Sequence, residues 1–231
     1  MGVEHNILLE KYYTAILSLS ETDRLDRQIL ENTIITVSNN YSSQNSSCPD
    51  EFNMGISFIS EENYSFVEGN LNNMLPNNLP GSLISIEAKS YLQDLFTLLN
   101  QDIDLSSFQE GIQNILIEVN SNITNNNEKY ILLTSLSIAK HSMNYWNKNF
   151  TNWQNLNPSN SDPEAFSWST FGKADVMGAT GFAVTMTVNG TYAAMAAGGP
   201  AGWVGAGLAT VGAGAAASCV YGIYGSLIDW W

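Results

Sequence analysis

The sequence predicts an all-α protein, a helical bundle with a C-terminal glycine-zipper helical hairpin. Three observations carry this. Apolar residues recur at helical spacing from Leu83 to Phe150. No stretch shows sustained period-two alternation bounded by hairpin turns. After residue 173 the chain carries twelve of its 18 glycines, no lysine or arginine, and only Asp175 and Asp229 as charges.

Taken in order, Leu9, Tyr12, Ile16 and Leu19 share one helical face, and Ser20 then caps a restart. Leu25, Ile29, Leu30, Ile34, Val37 and Tyr41 form a second stripe. Residues 42–52 read as a loop, and the short helices expected between Asn53 and Leu75 end at Pro76 to Gly81. Ser82 is the expected cap of a helix burying Ile84, Ala88, Tyr91, Leu92, Leu95 and Leu99. Asp104 or Ser106 caps the next, with Leu105, Phe108, Ile112, Ile115, Leu116, Val119 and Ile123 inward. After a break at Asn125-Asn126-Asn127, a third helix runs from about Glu128 to Phe150 and buries Leu132, Leu136, Ala139, Met143, Trp146 and Phe150.

The expected organisation is therefore an acidic amphipathic bundle over 1–150, a linker over 151–173, and an apolar hairpin over 174–231. Two arms flank Gly198-Gly199-Pro200. In the second, Gly198, Gly202, Ala206, Thr210, Gly214, Ser218, Gly222 and Ser226 follow one another at intervals of four, and all are small. The first arm repeats the pattern at Gly190, Ala194 and Gly198. Residues four apart share a helix face, so the ridge lets another backbone approach closely. A glycine inside a helix costs about 1 kcal/mol against alanine, which close packing must return. Each arm has the roughly 20 residues that cross a bilayer. Trp203, Tyr221, Tyr224, Trp230 and Trp231 are placed as interfacial aromatics. A soluble hairpin sheathed by the preceding helices is the other reading of the same residues.

The net charge of −14 comes almost wholly from residues before the tail. Such a surface repels nucleic acid and gives no general attraction to anionic lipid. Cys48 and Cys219 are the only cysteines; they fit one disulfide in an oxidising compartment or two buried thiols, and the expectation adopted is a Cys48–Cys219 disulfide. Asparagine-rich, lysine-poor composition leans towards a secreted or cell-surface protein, and a start without a basic or apolar leader segment leads to the expectation that a leader has been removed. No G-x-S-x-G, H-E-x-x-H, P-loop or C-x-x-C is present. His5 and His141 are the only histidines and have no second ligand at metal spacing. A Cys48–His141 pair lacks a local signature, and Glu61-Glu62 and Asp102/Asp104 read as solvated acids. No catalytic residue, metal or cofactor is expected, and the chain reads as a non-enzyme.

The opening Gly2-Val3-Glu4-His5-Asn6-Ile7-Leu8-Leu9 resembles the start of uncharacterised secreted or lipoprotein-like proteins of Bacteroidota, which also end in Gly/Ala-rich tracts; this implies export. The tail is similar to the tracts of class II microcins and double-glycine bacteriocins, which act on membranes. The order of helices then apolar hairpin resembles pore-forming colicin domains. These resemblances imply an antibacterial, bacteriocin-like toxin that inserts its hairpin into a target membrane. The implied partners are a membrane or membrane receptor, further copies of the chain, and an immunity protein. The alternative is a non-toxic secreted or surface helical protein whose hairpin packs internally or mediates self-association.

Overall fold

The computed structural model describes residues 1–45, 84–101, 103–156, 171–183 apart from 173, 177 and 181, 200–217 and 219. All regular structure among them is helical. The helices are α1 (Gly2–Leu17), α2 (Glu21–Arg24), α3 (Arg27–Asn45), α4 (Ile86–Leu99), α5 (Leu105–Asn122), α6 (Asn126–Gln154) and α7 (Pro200–Ala217). The described residues of 171–183 are helical as well.

Local chemistry sets the helix starts. Ser20 accepts from the Asp23 amide at 3.1 Å and begins α2. Asp104 accepts from the Ser106 and Ser107 amides at 2.8 and 3.0 Å and begins α5, and these bonds, with that from the Ser107 hydroxyl, hold its carboxyl below the ordinary value. Asn125 caps α6 through the Asn127 amide at 2.9 Å. The asparagine run is thus a cap followed by the first helical residues. The cap of α4 is Ser85, which accepts from the Ala88 amide at 3.1 Å; the expected cap, Ser82, lies outside the described residues. Ser85 is held in turn by Glu128, whose carboxylate accepts from the Ser85 amide at 2.6 Å and its hydroxyl at 2.9 Å. At the end of α1, Arg24 donates to the carbonyls of Ile16, Leu17 and Leu19 at 3.1, 2.7 and 3.2 Å. A cation is favourable there, where unpaired carbonyls gather.

The predicted stripes form the core, with local departures. Leu9, Tyr12 and Ile16 are buried on α1, as are Leu30, Ile34 and Tyr41 on α3. Leu25 is instead half exposed, at 49%, because it ends α2 rather than starting α3. Two serines of α3 are unexpectedly buried. One of them, Ser38, bonds the Tyr12 hydroxyl at 2.6 Å. The third long helix continues beyond Phe150 to Gln154, and Trp153 and Leu156 join the core. The chain thus stays anchored for several residues into the stretch read as linker.

α6 is the common element, packing against α1, α4, α5 and α7. Two apolar clusters meet along it. The first joins α1, α3, Tyr145, Trp146 and Trp153 of α6, Phe171, Phe182 and the alanines of α7. The second joins α4, α5 and Leu132, Leu136, Ala139 and Met143 of α6, with Val176. The Gly/Ala-rich α7 is therefore a core element: every residue from Ala209 to Ala216 is buried. A helix apolar on all sides needs neighbours on all sides, and α1, α6 and the 171–183 segment supply them.

Candidate functional site: a buried polar cluster at the tail

The tail meets the bundle around Asp175, which is fully buried. Its Oδ2 accepts from the Trp146 indole N–H at 2.7 Å and from the Ser142 hydroxyl. Its Oδ1 faces His5 Nε2 at 3.0 Å, an ion-pair distance, and neither of these two atoms has a hydrogen-bond partner among the described residues. Two hydrogen-bond donors of α6 and the His5 ring of α1 thus converge on one tail carboxylate.

The surroundings fix the state of His5. Asn6 donates its side-chain N–H to the His141 carbonyl at 3.1 Å, which turns its Oδ1 to His5 Nδ1 at 3.0 Å. Both ring nitrogens therefore face oxygens. Only the imidazolium has an N–H for each. Complete burial of the ring opposes the charge, but the Asp175 carboxylate and these bonds outweigh it and hold the pKa above the ordinary 6.5. His141 has a local role: its Nδ1 bonds the Ser137 carbonyl one turn back, at 2.8 Å.

The cluster has the residue types of a hydrolytic triad without the arrangement of one. Ser142 gives its proton to Asp175 rather than to a histidine, and Ser142, His5 and Asp175 are all sealed from solvent. A nucleophilic serine needs a base to take its proton and an open face for substrate. The arrangement binds two parts of the chain together. Among the described residues no three His, Cys, Asp or Glu side chains gather as a metal site.

α7 touches this cluster through Gly214. A Cβ there would stand 2.8 Å from the Asp175 carbonyl oxygen, 3.2 Å from the Ala179 Cβ and 3.6 Å from His5 Cδ2. The small ridge is thus a close-packing face at this point, and Thr210, one turn earlier, is buried too. Gly207, off the ridge, makes a second close approach, because a Cβ there would collide with Met1 and with the Tyr130 hydroxyl. Val211 also lies inside, with Ile138, Ala179 and Met1. Gly202, Ala206 and Trp203 lie on α7. The described residues do not include Gly190, Ala194, Gly198, Ser218 and Gly222 of the ridge, or the aromatics Tyr221, Tyr224, Trp230 and Trp231.

One expectation is corrected. Cys219 is a free thiol, not half of a Cys48–Cys219 disulfide; Cys48 lies outside the described residues. The Cys219 thiol is enclosed in the core with Tyr12 and Tyr145, and burial, then the nearby Asp175 charge, pushes its pKa well up. The arms expected to cross a bilayer lie in large part outside the described residues; no described helix is long and apolar enough to cross a membrane.

A further concavity lies between α1 and α3, about 670 Å³, lined in part by Ile7, Lys11, Val37 and Tyr41. The Tyr41 hydroxyl donates to Glu4, and Lys11 lies 5.7 Å from the Tyr41 ring centre.

Sequence reasoning passed over His5 and Asp175. Two signals were present. His5 falls four residues before Leu9, on the stripe that continues through Tyr12 and Ile16. Asp175 is one of two charges in the tail, and an isolated acid in an apolar segment implies a buried partner. Comparison with protein-family models, curated proteins and solved structures gives no match for this chain.

Proposed function

We propose that this is a secreted, membrane-active helical protein of bacteriocin-like type, carrying its Gly/Ala-rich tail inside an amphipathic sheath and delivering it to the membrane of a target cell. One observation carries the reading: α7 has no charged side chain, and its residues from Ala209 to Ala216 are buried where it packs with α1, α6 and the 171–183 segment. A tail of this kind is kept from water by the bundle and has an alternative solvent in lipid. The −14 charge opposes approach to anionic lipid at neutral pH. Protonating surface carboxylates near pH 4 removes that repulsion.

The test is dye release from phosphatidylglycerol-containing liposomes by the full chain, at neutral pH and at about pH 4.5, with hydrogen exchange of α7 followed in parallel. Release that grows on acidification, with α7 amides protected by lipid, is the expected result. Absence of release at both pH values, and of killing in a panel of bacteria, would sink the proposal.

The second reading is a non-toxic secreted or surface protein whose tail stays packed as structural core. It is favoured by the lack, among the described residues, of a helix long and apolar enough to cross a membrane. Under it, α7 keeps the same amide protection with and without liposomes.

A further inference from the structure

Every described partner of the Asp175 side chain comes from outside the tail: His5 from α1 as an ion pair, Ser142 and Trp146 from α6 as hydrogen-bond donors. Two further polar ties between tail and bundle are neutral. Thr180 donates to Ser135 at 3.0 Å, and the Tyr130 hydroxyl receives the Gly207 amide. The charged tie is also the one that touches α7, since Gly214 lies against both the Asp175 backbone and the His5 ring. A buried ion pair is asymmetric in consequence: removing one partner strands the other charge in a medium that cannot solvate it, whereas removing both leaves no charge to strand.

The two apolar clusters limit how far the damage spreads. Apart from Val176 and from Gly172, which lies against Met143, the clustered apolar residues of the tail pack on the α1–α3 side of α6 or with Ile138. The α4–α5–α6 side has its own apolar cluster and its own polar ties. These are Ser85 with Glu128, Asn122 with Tyr91 at 2.7 Å, and Gln109 with Asn144 at 2.8 Å.

We propose that the His5–Asp175 pair is the latch that keeps the Gly/Ala-rich tail in the bundle, and that breaking it frees residues 171–183 and α7 while α4, α5 and the α6 stretch between them stay folded. What the freed tail then does rests on the membrane reading above; the latch itself does not.

The experiment is native-state hydrogen exchange on the full chain, comparing α7 amides with α5 amides. His5→Gln strands the carboxylate and lowers α7 protection by about 100-fold or more with α5 unchanged. Asp175→Asn, which lets His5 shed its proton, has a smaller effect of the same kind. The double variant His5→Gln/Asp175→Asn recovers at least 10-fold of the lost protection, a rescue that mere loss of packing would not produce. Equal loss in α5 and α7, unchanged α7 protection, or a double variant no better than His5→Gln each overturns the latch. If His5→Gln does not fold, Asp175→Asn decides by the same comparison of α7 with α5. A freed α7 without dye release from liposomes leaves the latch standing and removes the membrane reading.

Discussion

His5 Nε2 and Asp175 Oδ1 lie 3.0 Å apart, both fully buried, and join the first helix to the start of the glycine-rich tail. This contact links elements near opposite ends of the chain, and its charge state has consequences that can be measured.

Stability should depend on pH through His5. Its folded pKa is raised above the unfolded 6.5, so its contribution is fully present below that value and is lost as pH rises through the folded pKa. The denaturation free energy of the wild type minus that of His5→Gln should therefore be largest near pH 6 and shrink towards pH 9. An advantage that grows with pH would show that His5 is neutral in the fold.

Trp146→Phe should destabilise both through the lost hydrogen bond from the indole N–H to Asp175 and through the smaller ring, which leaves a void beside Trp153 and Phe171. A bond to a charged acceptor is worth about 1.5–3 kcal/mol. Urea midpoints read the loss. A change under about 0.5 kcal/mol, the range of a bland surface substitution, would mean that the N–H does not support the carboxylate.

Two glycine-to-alanine changes should part in opposite directions. At Gly214 the added methyl meets the Asp175 backbone carbonyl at 2.8 Å, which cannot yield cheaply, so Gly214→Ala costs about 1–3 kcal/mol. At Gly111 it meets Leu98, first at a Cδ 2.7 Å away, the end of a side chain that can turn. There the gain in helix propensity, up to about 1 kcal/mol, offsets the crowding. Melting temperatures of the two variants against wild type test this; a Gly214→Ala protein as stable as wild type would remove the close contact.

Cys219 should be chemically silent until the protein unfolds. Its thiol is free and sealed in the core, with its pKa pushed up by burial and then by Asp175. The thiolate is the reactive form, so alkylation of its peptide, followed by mass spectrometry, should be at least 100-fold slower in buffer than in denaturant, the two states differing by a stability of several kcal/mol. Rapid labelling in buffer would show that this part of the tail opens readily.

The all-α class, the faces of α1, α4, α5 and α6, and the helix starts at Ser20 and Asp104 were decided by the sequence. They follow from local spacing and from side chains that reach their own next turn. The close packing at Gly214 was legible as well, since a small residue on a helix face admits a neighbour without the partner being known. Only the tertiary structure decided which partners those faces meet. His5 and Asp175 do not signal each other along the chain, because an ion pair between distant elements has no sequence period. The cap moved from Ser82 to Ser85 because Glu128, on another helix, holds Ser85 in place. The fold places the Cys219 sulfur in the aromatic core as a free thiol. The tail's residue types marked it as apolar and closely packed. That α1 and α6 pack on α7, and that a carboxylate is held at its edge by Ser142, Trp146 and the His5 ring, came from long-range packing of surfaces that local chemistry leaves open.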